Sequence, residues 1–400
     1  MTVPGADAVL VRHGDIGVKS AHVQASMEGD LADRVAAMLD DRGVSGTVDH
    51  EWGRLFVRTP AAEVATDTVT DVFGVHTASP ARTVPASIDA ITETLAEIAT
   101  VTYDGGTFAV DARRTGDHDF TSHEVGKRGG DAIWQAVESE FDPGVDLDDP
   151  DHPFYVEVRD EDAYIFTERR DGPGGFPLGS QAPLVALVSG GIDSPVAAWQ
   201  AMRRGSPIVP VYLDLGDYGG SDHRARAIAT IETLSRFAPA QDVRPRVVHV
   251  GEYVDRLVEA ISSTRMLSFR RLMYRIAEHV AEAEGAAGVV TGEAVGQKSS
   301  QTVRNLAAVD RATELPIHRP LLTWDKQEII AEARRIGTYE DSTIDAGCHR
   351  VAPDKPATRA TVAAVEAAEP PEMFEWATKA AENVEVIEVG EPESVVEGAP

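Results

Sequence analysis

Residues 185–194 read VALVSGGIDS, an apolar run that stops abruptly at Ser-Gly-Gly-x-Asp-Ser. A short, continuously apolar run bounded by turn residues fits a strand buried on both faces. The following PVAAWQAMRRG (195–205) has helical composition, with Pro195 at its first position, where the missing N–H is no loss. The stretch is thus a strand, a tight loop and a helix N-terminus. Two glycines let the backbone approach a ligand, their N–H groups and the helix dipole favour an anion, and Ser189 and Ser194 add hydroxyls. That combination makes a phosphate cradle; a capped Gly-Gly turn is the plain structural alternative. The loop has no Lys after its glycines, as G-x-x-x-x-G-K-[ST] requires, and it is not G-x-G-x-x-G. Asp193 inside an anion site implies a cation travelling with the phosphates, as Mg²⁺ does with a pyrophosphate leaving group.

Outward from this loop, LVALV (184–188), IVPVYL (208–213), RVVHV (246–250) and AAGVVTG (286–292) alternate with helical stretches. Near-continuous apolar strands separated by helices predict an α/β fold, a doubly wound parallel sheet over 182–388, with ligands at the C-terminal ends of its strands. Upstream, RDGPGGFPLGSQ (170–181) is a Gly/Pro cluster of the kind that joins domains, so 171–181 is expected as a linker. Before it, AVLVRHG (8–14), RLFVRT (54–59), FAVDARR (108–114), FYVEVRD (154–160) and AYIFTER (163–169) interleave with helical stretches at 23–42 and 88–99. This α+β pattern predicts two small units dividing between 60 and 80, taken here as 1–62 and 63–170. The acidic, Pro/Gly-containing end, 389–400, is expected to be a disordered tail.

A 42% hydrophobic and 26% charged composition is that of a globular protein. No run approaches about 18 consecutive apolar residues and the N-terminus lacks a signal peptide's basic start and apolar centre, so a cytoplasmic protein without membrane contact is expected. Cys348 is the single cysteine. One thiol excludes an intrachain disulfide, a zinc knuckle and an iron–sulfur cluster held within one chain, and no metal-ligating cluster is expected. The formal charge of −29, from 37 Lys+Arg against 66 Asp+Glu, argues by itself against nucleic acid. A carboxylate-rich surface is equally what keeps a protein hydrated in multimolar salt, so a halophilic cytosol is expected and global charge is a poor guide to partners.

SGGIDSP (189–195) resembles the PP-loop ATP pyrophosphatase signature. Together with FRRLMYRIAEHVA (269–281), VVTGEAVGQKSSQTVRNL (289–306), RPLLTWDKQEIIAEARRIGTYE (319–340) and AGCHR (346–350), it is similar to the tRNA 4-thiouridine synthetase (ThiI) family. In the N-terminal half, VRHGDIGVKS (11–20), FAVDARRTGDHDFTSHEVGKRGG (108–130) and GPGGFPLGSQ (172–181) resemble that family's ferredoxin-like segment, its THUMP RNA-binding domain and the linker that follows.

The resemblance implies ATP-dependent sulfur transfer to the uridine at tRNA position 8. Uridine O4 attacks the α-phosphate, pyrophosphate leaves, and a sulfur nucleophile then displaces AMP from C4 to give 4-thiouridine. It implies ATP contacts at Leu187, Val188, Tyr212, Leu213, Arg270, Gly292 and Gln301, beside the loop residues Ser189, Gly190, Gly191 and Ser194, and catalytic roles for Asp193, Lys326 and Cys348. Arg270, Arg271 and Arg275 also have the spacing of a solvated helix face. ATP and Mg²⁺ are the implied cofactors and tRNA the partner. Better-known members carry a C-terminal rhodanese domain with a second cysteine; none is expected here, which implies an external sulfur donor (sulfide, a persulfide or a thiocarboxylate carrier) or a second subunit's Cys348. A homodimer is a further expectation. Arg12, Lys19, Arg113, Arg114, Lys127 and Arg128 are local basic spots suited to RNA phosphates, each with scattered surface charge as its alternative. Two rival readings are a PP-loop enzyme acting on a small molecule or on a sulfur carrier protein of the thiamine thiazole pathway, and a non-catalytic tRNA-binding protein. The THUMP-like half argues against the first, the intact Asp193 and Lys326 against the second.

Overall fold

The computed structural model describes residues 3–51, 53–219, 221–342 and 350–388. Cys348 and the tail at 389–400 lie outside the described residues. The chain forms two compact units that divide between Pro177 and Leu178. No helix among the described residues is long and apolar enough to cross a membrane.

The first unit runs β1 (Ala8–His13), α1 (Ala21–Asp41), β2 (Thr47–Glu51), β3 (Arg54–Arg58), α2 (Ala62–Val69), β4 (Val75–Pro85), α3 (Ile88–Thr102) and β5 (Thr107–Arg114). It continues with α4 (Ser122–Val137), β6 (Gly144–Val145), β7 (His152–Val158), β8 (Asp162–Phe166) and β9 (Arg170–Asp171). Its sheet has the order β2-β3-β1-β4-β8-β7-β5-β6, with β9 beside β4. The eleven-residue β4 joins its two halves: Val75–Ala81 pairs with β1, while Arg82–Pro85 pairs with β8. AVLV in β1 is apolar without alternation because both faces are covered. Val9 and Val11 pack with Leu31, Val35 and Val69 under α1 and α2, whereas Ala8 and Leu10 pack with Phe56, Tyr164 and Phe166 on the reverse side. A third core, including Ile91, Leu95, Phe108, Val125, Ile133 and Phe154, lies under α3 and α4. Ala65, Val69, Val72, Val75 and Ala78, assigned from sequence to the second N-terminal unit, pack in the core of the first.

The second unit runs β10 (Leu184–Leu187), α5 (Asp193–Arg203), β11 (Ile208–Asp214), α6 (Ser221–Ser235), β12 (Arg246–His249), α7 (Gly251–Ala260), α8 (Arg265–Glu284) and β13 (Val289–Val290). Then follow α9 (Val303–Val309), β14 (Ile317–His318), α10 (Lys326–Arg335), α11 (Val362–Glu366), α12 (Met373–Ala381) and β15 (Val384–Val386). The sheet order is β14-β13-β10-β11-β12-β15, parallel except for β15, which joins the edge antiparallel. This is the doubly wound parallel sheet expected from the sequence, with β14 and β15 too short to register as apolar runs. From β10 the chain winds one way through β11 and β12, then resumes on the other side at β13. The connections after β10 and β13 therefore part at the C-terminal ends of adjacent strands, which is where such sheets hold ligands.

Candidate active site

The SGGIDS loop occupies that switch point. The helix α5 begins at Asp193, so Pro195 is its third residue and not its first; it still lies in the first turn, where N–H groups have no intrahelical partner. The two serines tie the loop shut. Ser189 N donates to Ser194 Oγ at 2.8 Å, the two hydroxyl oxygens are 3.0 Å apart, and Gly191 N donates to Ser189 Oγ at 3.3 Å. The helix N-terminus thus opens on a small ring of hydroxyls and backbone N–H groups, a setting that favours an anion.

Two glycines are pressed against neighbours rather than set in turns, Gly190 tightly and Gly292 with no room for a side chain. A Cβ on Gly190 would stand 3.3 Å from the His223 carbonyl oxygen of α6. A Cβ on Gly292, just after β13, would stand 2.6 Å from the Asp193 carbonyl carbon and from Ser194 N. Gly292 therefore lets β13's connection lie directly against the first turn of α5. Lys326, the first residue of α10, closes the arrangement: its Nζ donates to Asp193 Oδ1 at 2.7 Å across 133 residues of sequence. An Asp325/Glu328 capping box fixes the start of α10 and with it the lysine.

Beside the loop is an open pocket with a mainly apolar lining. Leu187, Val188, Ser189, Gly190, Tyr212 and Leu213 line it, six of the positions assigned from sequence, together with Leu215, Phe269, Met273 and His223. Phe269 and Met273 lie four residues apart on α8, a helical apolar pair legible in the sequence but not singled out. Nothing local marks His223.

Arg270, Arg271 and Arg275 do not form a solvated face. Arg271 is 1% exposed and donates to the Ala308 carbonyl at 3.1 Å and to Glu366 at 3.2 Å. Arg270 Nε lies 2.7 Å from Glu293 Oε1. Glu293 is buried, which pushes its carboxyl pKa up, but Arg270 and Arg319 outweigh burial and hold it below the usual range. Burial and the Glu293 charge push the Tyr274 hydroxyl the other way, well above its ordinary value. Gln301 accepts Gly296 N at 3.0 Å through its backbone, and its side-chain Oε1 is buried without a partner.

In the first unit Lys19, Arg113, Arg114, Lys127 and Arg128 are exposed. Arg12 differs. Its Nη1 donates to Ser79 Oγ at 3.1 Å, its guanidinium lies 4.6 Å from the Phe166 ring centre, and burial lowers its pKa to about 10. Arg12 is thus built into the sheet, whereas the other five lie on the surface.

A parallel sheet with SGGxDS at its switch point, a lysine on the loop's aspartate and an apolar pocket alongside define a PP-loop domain of the ATP pyrophosphatase class, here preceded by two α+β segments. Residues 179–374 match the Thiamine biosynthesis protein (ThiI) family, 85–168 the THUMP domain and 8–79 the ThiI ferredoxin-like domain. The chain is 62% identical to a probable tRNA sulfurtransferase of Halobacterium salinarum over 97% of its own length and 99% of the relative's. It is 38% identical to a probable tRNA sulfurtransferase of Methanosarcina acetivorans over 88% of this chain and 87% of that one. A crystal structure of a 4-thiouridine synthetase–RNA complex with bound ATP superposes with a TM-score of 0.84 at 29% identity, covering 96% of this chain and all of that one. The chain belongs to the tRNA sulfurtransferase (ThiI) family.

Proposed function

We propose that this protein is an ATP-dependent tRNA uracil 4-sulfurtransferase that converts uridine at position 8 to 4-thiouridine. The observation that carries this is the Lys326–Asp193 pair at the mouth of the SGGIDS loop, on a chain that matches the THUMP domain over residues 85–168. The apolar pocket at the ends of β10 and β11 takes the adenine, with Leu187, Val188, Tyr212 and Leu213 around it, and the Ser189–Ser194 loop takes the phosphates.

Uridine O4 attacks the α-phosphorus; the bond to the bridging oxygen breaks and pyrophosphate leaves. Lys326 offsets the charge that builds on the departing phosphates, and Gly190 and Gly191 bring backbone N–H groups to them. Among the described residues no three His, Cys, Asp or Glu side chains converge to hold a metal, so Mg²⁺ would arrive on the nucleotide, with Asp193 the loop carboxylate able to meet it. Sulfur then attacks C4 and AMP departs with its oxygen. Sulfide, or the outer sulfur of a persulfide, is nucleophilic at neutral pH where water is not, and either can leave its sulfur on C4. Where the external donor is a persulfide, Cys348 takes over its outer sulfur by exchange and releases the donor thiol; that sulfur attacks C4 as AMP leaves, and an external thiol cleaves the resulting C4–S–S–Cys348 linkage, freeing 4-thiouridine and leaving Cys348 as a mixed disulfide that a second external thiol reduces, in a cytosolic enzyme that works as a homodimer. Exposed Lys19, Arg113, Arg114, Lys127 and Arg128 hold tRNA phosphates.

The test is mass spectrometry of nucleosides from tRNA incubated with the protein, Mg-ATP and sodium sulfide in molar KCl. The native protein is expected to form 4-thiouridine and Asp193→Ala to form none. Cys348→Ala retaining full activity with sulfide would take that thiol out of the chemistry. AMP formation without 4-thiouridine, with every donor tried, would refute the tRNA reading.

A further inference from the structure

Arg270 is held by a carboxylate that is absent from the ATP contacts assigned above. Glu293 Oε1 lies 2.7 Å from Arg270 Nε, and Oε2 accepts from Arg319 Nε at 2.7 Å, Tyr274 OH at 2.6 Å and Thr291 Oγ1 at 3.2 Å. Arg319 is anchored separately: its Nη1 donates to Asp310 at 3.3 Å and its Nη2 to Tyr274 OH at 3.1 Å. Arg319 is thus shared between Asp310 and the Oε2 side of Glu293, and the Oε1 side of Glu293 faces Arg270. Glu293 is 6% exposed; its partners come from α8, from the segment after β13 and from just beyond β14, and Asp310, just beyond α9, backs Arg319. An assembly drawn from four places in the chain fixes its members far more firmly than a surface ion pair does.

The outer edge of Arg270 is left unfilled. Nη1 is buried without a partner, and Nη2 has a 3.5 Å contact with Ser300 Oγ. A buried guanidinium with idle donors is costly unless something supplies acceptors, and phosphate oxygens match its forked geometry. Phe269, next to Arg270 on α8, lines the pocket at the loop.

We infer that Glu293 is a positioning residue for nucleotide binding: it holds Arg270 by Nε so that the Nη edge is reserved for the phosphates of ATP. This rests on the ATP reading above.

The test is equilibrium binding of an α,β-methylene ATP analogue to the full chain in molar KCl. Native protein, Glu293→Gln, Arg270→Ala and the double variant are compared, with steady-state ATP kinetics alongside. Glu293→Gln is expected to weaken binding about tenfold, the usual scale for a partner that orients a ligand-binding group. In the Arg270→Ala background the same change should cost less than about twofold, because there is then nothing to position. The KM for ATP should rise with the loss of affinity while kcat changes less. Tyr274→Phe removes one donor from Glu293 without stranding a charge, and should weaken binding in the native background alone. Native affinity in both Glu293→Gln and Tyr274→Phe, or an equal loss with and without Arg270, would overturn the inference. Failure of the native protein to bind the analogue would instead overturn the ATP reading itself.

Discussion

Replacing Gly292 by Ala puts a methyl group where the backbone of the SGGIDS loop already lies. The new Cβ would sit 2.6 Å from the Asp193 carbonyl carbon and Ser194 N, and 2.8 Å from Ser194 Cα. Ordinary contact begins at 3.4 Å, so the loop or β13's connection must retreat by about 0.8 Å. No flexible side-chain end can absorb this, since every colliding atom is backbone. Overpacking of this kind costs about 1–3 kcal/mol, which for a unit of this size is a fall in melting temperature of roughly 2–4 °C per kcal/mol. The functional cost should be larger, because a displacement near 1 Å in a site that aligns reacting groups can lower a rate by about a hundredfold. Pyrophosphate release and a melting curve, both in molar KCl, read the two effects separately. The expected result is a stable, folded protein with kcat/KM for ATP down by about tenfold to a hundredfold. A Gly292→Ala protein with unchanged melting temperature and unchanged kcat/KM would show that this approach does not position the loop, and the reasoning would fail.

Lys326→Ala should separate stability from activity more sharply. The pair with Asp193 is partly exposed, 46% and 29% for the two side chains, so its loss should change stability by no more than about 1 kcal/mol. Pyrophosphate release should nevertheless fall by about a hundredfold or more; retention of native turnover would remove Lys326 from catalysis. The first unit should be acid-sensitive through Glu28, which is fully buried between His13 and His50 with both nitrogens 2.8 Å from its oxygens. Burial lowers the His13 pKa below its ordinary 6.5, outweighing Glu28, so the unfolded chain binds that proton more readily and stability falls as pH drops through 6.5. Burial pushes the Glu28 carboxyl up, but hydrogen bonds from Gln24, His50 and His13 bring it below its ordinary 4.5, adding a further loss as pH falls through 4.5. Melting temperature should therefore decline from pH 7.5 to 5, and His13→Gln should flatten the part above pH 6; a flat native profile would contradict this. With a net charge of −29, the native protein should melt higher in about 3 M KCl than in about 0.2 M, and an unchanged or lower value would refute salt adaptation.

Local chemistry was enough to place the SGGIDS loop between a buried strand and a helix start. A buried strand, two glycines, an acid and a helix start are contiguous, and each announces itself through a residue type with few other uses. The same holds for the apolar strands β10 to β13 and for the Gly/Pro border before Leu178, since burial on both faces and backbone breaks leave their mark within a few residues. The tertiary structure decided what those segments meet. It set Lys326 on Asp193 from 133 residues away and laid Gly292 against the first turn of α5. It also turned Arg12 into the sheet and carried Ala65–Ala78 into the first core. Glu293 shows why these were not legible. In TGEAVG an acid beside two glycines reads as a solvated turn, and only the order β14-β13-β10 brings Arg270, Tyr274 and Arg319 around it. A residue's type records the chemistry it can do, but its partners depend on which strands become neighbours, and that is settled by packing between segments far apart in the chain.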